Sequence, residues 1–353
     1  PRLKRSKRAR LDAILRNQVR NKGIVGLQAA VRMPSGEVWV GTAGDAERSP
    51  DRPIARDTQF SIASVTKTFV AALILQLAEE GRIDLDAPFG TYFSEAPRPK
   101  TVTVRQLLSH TSGIYNYFAH PRYGKAAEAW LRATPTGLNS REHRWTYDEI
   151  MGLVKSGYCK PGECYTYSNT NYVILGKVAE AAGGAPIADQ LRKRFFTPLG
   201  LEDTVYQPAQ RPQVDAAHGH WAWPGGYTDH TRNSRVLPFM AAVSVADAAG
   251  AIASTAPDLA RWAAALYGGE VLSDRSLREM TTILPEGTYG LGTDVASFAG
   301  NRGYGHRGGL RGFESSMWYF PESGVSIALL SNQGNWLTDV PVRKLVRTVL
   351  GKS

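Results

Sequence analysis

Cysteine is scarce, two in 353 residues. That is too few for a disulfide-built scaffold, so the fold has to rest on a hydrophobic core, which this length can supply. Apolar runs of membrane-spanning length are missing; the helix-length run beginning at Phe69 is closed by Glu79-Glu80-Gly81. Gly-x-Ser-x-Gly occurs nowhere, which removes the nucleophile elbow of the α/β hydrolases. Internal repeats and low-complexity tracts are absent as well, excluding solenoids and arrays. No signal-peptide pattern stands at Pro1, which leaves a cytoplasmic protein or a mature product.

Acidic side chains are the scarcer charge, 32 against 42 Lys and Arg, for a net +10. Arg2, Lys4, Arg5, Lys7, Arg8 and Arg10 crowd the first ten positions. No nucleic-acid-binding module accompanies them, so nucleic acid is not the expected partner, and an anionic cell-envelope polymer fits the charge at least as well. Hydrophobic content of 42% and charged content of 21% suit a globular chain of one large domain or two intimate ones. The cysteines flank a turn signal in Cys159-Lys160-Pro161-Gly162-Glu163-Cys164. Pro-Gly can bring the sulfurs within bonding reach, and the spacing is neither that of a redox dithiol nor that of a zinc knuckle. A Cys159–Cys164 disulfide is therefore expected, with the extracytoplasmic or secreted setting it implies.

Periodicity predicts a helix over 5–22, with Leu11, Ile14, Leu15 and Val19 on one stripe and Gly23 as its stop. Segments 24–33 and 37–42 read as a hairpin around Pro34-Ser35-Gly36. The middle of the chain changes texture to short helices, capped at Thr103 and Thr146, with longer ones over 171–182 and 186–196. His218, His220 and His230 lie in an aromatic-rich loop with no fixed spacing and no cysteine partner, so no metal site is expected. A helix opening at Thr255-Ala256-Pro257-Asp258, strands over 289–296, 313–320 and 325–331, and a helix over 340–350 complete the chain. The economical assembly is an α+β fold. Segments 1–82 and 236–353 form an antiparallel sheet domain flanked by the terminal helices, and 83–235 is a mostly helical insertion. The cleft between the two is the expected place for a site.

Ser64 stands there. It ends a polar turn and opens a run, from Val65 to Ala78, that is apolar on nearly every side, as a buried helix is. Lys67 follows at i+3, on the same face. An amine at the start of a buried helix is expensive to desolvate and is repelled by the helix end, so a use for it is implied. A neighbouring serine hydroxyl, a poor nucleophile until a base takes its proton, provides that use. Ser-x-x-Lys alone is a weak signal, expected about once by chance in such a chain. Two clusters strengthen it: Tyr165-Thr166-Tyr167-Ser168-Asn169-Thr170-Asn171 before a helix, and Gly305-His306-Arg307-Gly308-Gly309 leading into a strand.

Together these segments resemble the penicillin-recognising serine hydrolases: class C β-lactamases, D-alanyl-D-alanine carboxypeptidases, D-aminopeptidases and related esterases. The match is collinear, with Ser-x-x-Lys at Ser64 and Lys67, Tyr-x-Asn at Tyr167 and Asn169, and His-x-Gly at His306 and Gly308 in place of Lys-Thr-Gly. The phrases 107–113, 167–172 and 289–292 are similar as well, so the likeness runs from about Leu11 to Leu350. It implies the β-lactamase/transpeptidase-like fold and an acyl-enzyme at Ser64, with no cofactor. Lys67 and Tyr167 would share the proton work, either one serving as base, and His306 would hydrogen-bond within the Ser64–Tyr167 network. The N–H groups of Ser64 and Gly309 would form the oxyanion hole, and Asn169 would orient a substrate amide.

Two departures from the pattern bear on substrate. Histidine at 306 is more like the D-peptidases and esterases than like true β-lactamases. Arg307 replaces a small hydroxyl residue and would either bind a substrate carboxylate bidentately or point to solvent. The arginine that follows the Tyr-Gly-Leu-Gly strand in carboxypeptidases is missing, since Thr293 and Asp294 stand there. The reading is a D-alanyl-D-alanine carboxypeptidase-like enzyme or a D-amino-acid peptidase or amidase, acting on small peptides, amides or esters and acylated by β-lactams. An esterase or weak β-lactamase is the nearest alternative, and a penicillin-binding envelope protein without turnover is the alternative of another class.

Overall fold

The computed structural model describes residues 2–48, 51–129, 140–213, 215–221, 240–285, 289–334 and 338–351. In chain order, α1 (Arg5–Lys22) leads into β1 (Gly26–Arg32), β2 (Val38–Arg48), β3 (Asp51–Pro53), β4 (Phe60–Ser61) and α2 (Thr66–Glu79). The middle carries α3 (Val104–Leu108), α4 (Pro121–Ala129), α5 (Tyr147–Met151), α6 (Asn169–Gly183) and α7 (Ile187–Leu191), then β5 (Val205–Tyr206) and β6 (His220–Trp221). Next come α8 (Met240–Ala246), β7 (Ile252–Ser254), α9 (Ala256–Tyr267) and α10 (Asp274–Thr281). The chain closes with β8 (Asp294–Phe298), β9 (Asn301–Leu310), β10 (Phe313–Phe320), β11 (Val325–Ser331), β12 (Gln333–Gly334) and α11 (Asp339–Leu350).

Both ends of the chain build one seven-stranded antiparallel sheet in the order β3-β2-β1-β11-β10-β9-β8. The pleat divides its side chains between two cores. Ile327, Leu329, Trp318 and Phe320 pack with Leu11 and Leu15 of α1 and Val342, Leu345 and Val346 of α11. Ala328, Leu330 and Met317 pack on the opposite face in a cluster that takes in Leu259, Trp262 and Leu266 of α9 and runs on through α2 and α6. Every residue of α2 from Thr66 to Leu75 is buried. Its Phe69 stacks on Trp262 with ring centroids 4.0 Å apart and meets Phe196 edge-on at 5.7 Å.

A second, three-stranded sheet, β4-β7-β5, pairs Phe60 with Ser254 and Val205 with Ala253. It therefore joins the segment entering Ser64 to the helical middle of the chain. Capping boxes start α3 at Thr103 with Gln106 and α5 at Thr146 with Glu149, where the sequence places threonine caps.

Regular structure departs from expectation in the last third. The strand expected over 289–296 begins only at Asp294, because Gly292 at φ 72° turns the chain, and Tyr289 makes a single bridge to Asp294. Conversely, His306-Arg307-Gly308-Gly309 lies inside the ten-residue strand β9 rather than ahead of a strand. Four glycines depress its strand propensity, so pairing with β8 and β10 decides its conformation. Helix α8 is too short and too uniformly apolar to show a period. Of the loop histidines, His218 Nδ1 lies 3.3 Å from Glu47, and His220 is bridged to Gln333, while His230 lies outside the described residues.

Phe69→Ala removes the ring on which α2, α9 and Phe196 converge. We expect a loss of about 3–5 kcal/mol in urea unfolding, whereas a change below ~1 kcal/mol would show that this contact does not hold the core.

Candidate active site

Ser64 occupies a single 3₁₀ turn, Ala63–Val65, between β4 and α2. Ala63 has φ 46°, a left-handed conformation that costs an L-residue about 1–2 kcal/mol. Its surroundings enforce it: Ile62 N–H donates to Ile252 O at 3.0 Å, and Ile62 O accepts from Ser315 Oγ at 2.7 Å. Gly308 of β9 closes against the same turn. A Cβ there would lie 2.3 Å from Ile62 O and from Ser315 Oγ and 3.0 Å from Ser64 N, so only glycine lets the strand approach the nucleophile's backbone. Gly309 follows, exposed, on the same strand.

Lys67 is fully buried. Its Nζ lies 3.0 Å from Ser64 Oγ, 2.9 Å from Asn169 Oδ1 and 2.7 Å from Ala249 O. Among the described residues no carboxylate pairs with it, and burial holds its pKa well below the ordinary lysine value. The amide and backbone oxygens can only accept, so two N–H groups are spoken for. In the neutral amine the remaining lone pair is left for the Ser64 proton. Asn169, expected to orient substrate, thus holds the amine instead, while its backbone N–H and Nδ2 both reach Asn116 Oδ1 at 3.3 Å.

Tyr167, half-buried, lays its ring 4.9 Å from Lys67 Nζ. Burial pushes the phenol's pKa up, and hydrogen bonding to Ser64 offsets this only in part, so the phenol is a proton donor at neutral pH. His110, in the phrase 107–113, supports it, and the residue-level reading did not single it out. His110 sits at φ 60°, with its ring centroid 4.2 Å from that of Tyr167. Its main-chain oxygen accepts from Thr166 N at 2.9 Å and its Nδ1 from Ser168 N at 3.2 Å, so one histidine grips the backbone on both sides of the tyrosine. That assigns the ring proton to Nε2, which is buried among the rings of Tyr167, Tyr172 and Tyr289 with no hydrogen-bond partner among the described residues.

His306 is buried on the site-facing side of β9, its ring 6.3 Å from that of Tyr167. The expected hydrogen bond into the Ser64–Tyr167 pair is replaced by others. Nδ1 donates to Arg307 O, and Nε2 accepts from the Tyr289 hydroxyl at 2.8 Å. Tyr289 is a further site residue, hidden in sequence because its hydroxyl meets the histidine only after the turn at Gly292. Ala249 is another, contributing only a carbonyl, which no side-chain pattern records.

Arg307 corrects an expectation. Successive strand residues face opposite ways, so next to an inward His306 the guanidinium lies on the far face of the sheet. There it binds both oxygens of Asp339 at 2.7 and 3.1 Å and Asp294 at 3.2 Å, over the ring of Trp318. It is therefore held by protein carboxylates on that face rather than reading a substrate carboxylate, with its side chain 41% exposed. Cys159 and Cys164 are bridged, with Cα atoms 6.3 Å apart. The bridged loop docks on the segment after α3 through Tyr158 N to Gly113 O and Gly162 N to Thr111 O, both 2.8 Å, and so backs the approach to Tyr167.

A serine hydroxyl, a desolvated amine and a protonated phenol, gathered at the head of a buried helix beside an antiparallel sheet, define the acyl-transferring class of serine hydrolases. The chain belongs to the beta-lactamase family, whose model matches residues 11–351. Penicillin-binding protein 4* of Bacillus subtilis (strain 168) is 28% identical over 309 residues, which are 82% of this chain and 64% of that protein. The D-amino acid amidase from Ochrobactrum anthropi SV3, in complex with L-phenylalanine amide, superposes with a TM-score of 0.83 at 27% identity, covering 98% of this chain and 99% of that one. A D-stereospecific amidohydrolase from Streptomyces sp. does so at 0.79 and 30% identity, with the same coverage. The chain thus spans under two thirds of the Bacillus protein and nearly the whole of both solved enzymes.

Gly308→Ala should push β9 off the Ser64 turn and lower kcat by roughly 10²-fold with the fold retained; wild-type turnover would show that the strand need not close this far. Burial brings His306 down to about 4, against an ordinary value near 6.5. The unfolded chain therefore takes up the extra proton between those pH values, so His306 weakens the fold as pH falls through that window and is neutral in effect above it. Relative to His306→Gln, the wild type should lose about 3 kcal/mol more between pH 7 and pH 4 in urea unfolding. Parallel curves would place the imidazole in contact with water.

Proposed function

We propose that this chain is a serine hydrolase that forms an acyl-enzyme at Ser64 on amide or ester bonds with an uncharged leaving group, D-amino acid amides foremost. The observation that carries the reading is the coordination of Lys67, with two acceptor oxygens fixing its protons and Ser64 Oγ at the remaining direction. Lys67 takes the Ser64 proton as Oγ bonds to the substrate carbonyl carbon. The N–H groups of Ser64 and Gly309 receive the developing oxyanion. As the carbon–nitrogen or carbon–oxygen bond breaks, Tyr167 passes a proton to the leaving group and regains one from Lys67. Water, deprotonated by the same pair, then attacks the ester and frees Ser64.

Leaving-group preference follows from the cations. Arg307 is held by Asp294 and Asp339, His306 is neutral at pH 7, and Lys67 is turned to the serine. Among these motif residues none offers charge to a free C-terminal carboxylate, which favours amidase or aminopeptidase chemistry over carboxypeptidase chemistry. The two solved amidohydrolases that match over nearly their full length support the D-configuration. β-Lactams would acylate the same serine, and the disulfide supports an extracytoplasmic setting.

A panel of D-amino acid amide, D-Ala-D-Ala peptide, short acyl ester and chromogenic cephalosporin tests this. The amide should be cleaved with the highest kcat/KM, and Ser64→Ala and Lys67→Ala should each lower it by roughly 10³-fold or more. Fastest cleavage of the peptide with a free carboxylate would overturn the leaving-group assignment, and full activity of Ser64→Ala would move the nucleophile elsewhere.

A further inference from the structure

Residues 2–22 hold nine of the chain's basic side chains and one acid, a net of +8 in a protein whose formal charge is +10. The fold keeps this charge together. Helix α1 buries Leu11, Leu15 and Gln18, leaving Arg5, Arg10, Arg16 and Arg20 exposed. Helix α11 lies beside it in the same layer and exposes Arg343, Lys344 and Arg347. Lys7 Nζ joins the two helices through Val349 O at 2.6 Å. The acids of this layer are occupied: Asp12 by Trp39 Nε1 at 3.2 Å, Glu37 by Leu3 N and Arg8, and Asp339 by Arg307. Between the arginines of α1 stand Ala9, Ala13 and Asn17, side chains short enough to let an extended surface come close.

At one end of the layer, a cavity of about 370 Å³ has Arg2, Lys4 and Lys7 at its polar side and Leu3, Val349 and Leu350 among its apolar walls. Cations above apolar walls match a phosphate headgroup and the start of its acyl chains better than they match a fully hydrophilic polymer. Strand alternation sets the face opposite the site, since His306 points to Ser64's side of the sheet and Arg307 to the α1–α11 side.

We infer that the α1–α11 layer is a docking face for an anionic phospholipid bilayer, holding the protein with its catalytic groove turned away from the membrane. Flotation of the full chain with vesicles of 30% phosphatidylglycerol in phosphatidylcholine tests it, against pure phosphatidylcholine and against soluble polyphosphate as competitor. Binding should require the anionic lipid, fall at least tenfold between 50 and 300 mM NaCl, and drop roughly 10²-fold or more in Arg5→Glu/Arg10→Glu/Arg16→Glu/Arg20→Glu. Ester or amide turnover in solution should be unchanged in that variant and in the corresponding Gln variant, which shows that both are folded. Equal binding to neutral vesicles, undiminished binding by the folded variants, or capture by polyphosphate with no vesicle binding would each overturn the assignment.

Discussion

The constraint that organises this protein is a lysine amine sealed in its core, with no carboxylate paired to it among the described residues. A buried ammonium is unfavourable, so desolvation holds the amine's pKa well below its ordinary value and favours the free base that can take a proton. The surrounding architecture keeps water from re-solvating it. Helix α2 is buried over ten successive residues, α6 supplies Asn169, and the turn ahead of β7 supplies the Ala249 carbonyl. Loosening any of these would let water in and return the amine's pKa toward its ordinary value.

Around the amine stands a ring of groups kept neutral by the same dryness. Tyr167 stays protonated, His110 and His306 stay uncharged, and Tyr289 ties the second histidine down. Among the described residues the amine's hydrogen-bond partners are two carbonyl-type oxygens and a hydroxyl, and its pKa is lowered by desolvation. The site's polarity comes mainly from oriented neutral groups, which suits a reaction whose charges, on the substrate oxygen and on Lys67 once it holds the Ser64 proton, develop only toward the transition state.

The large sheet divides the charged side chains from the serine turn, although Asp294 at its edge still acts on Tyr167 and His306. One face carries the serine turn and the neutral imidazole. The other carries Arg307 with its two aspartates and, beyond them, the basic layer of α1 and α11. Strand alternation places neighbours 306 and 307 on opposite sides of one backbone.

Sequence by itself determined the parts governed by local chemistry. The stop at Gly23, the capping boxes at Thr103 and Thr146, the hairpins of β1–β2 and β10–β11, and the solitary amine on a largely apolar helix are each written in a few adjacent residues. Tertiary structure alone decided what depends on distant partners. Gly308 is required by an oxygen at Ile62, Arg307 is claimed by Asp339, His306 turns to Tyr289 rather than to Ser64, and Ala249 contributes a main-chain carbonyl. The physical reason is that spacing along a chain fixes which face a side chain takes. Only the packing of one element on another fixes what that face meets, and so which groups lose water and with it their charge.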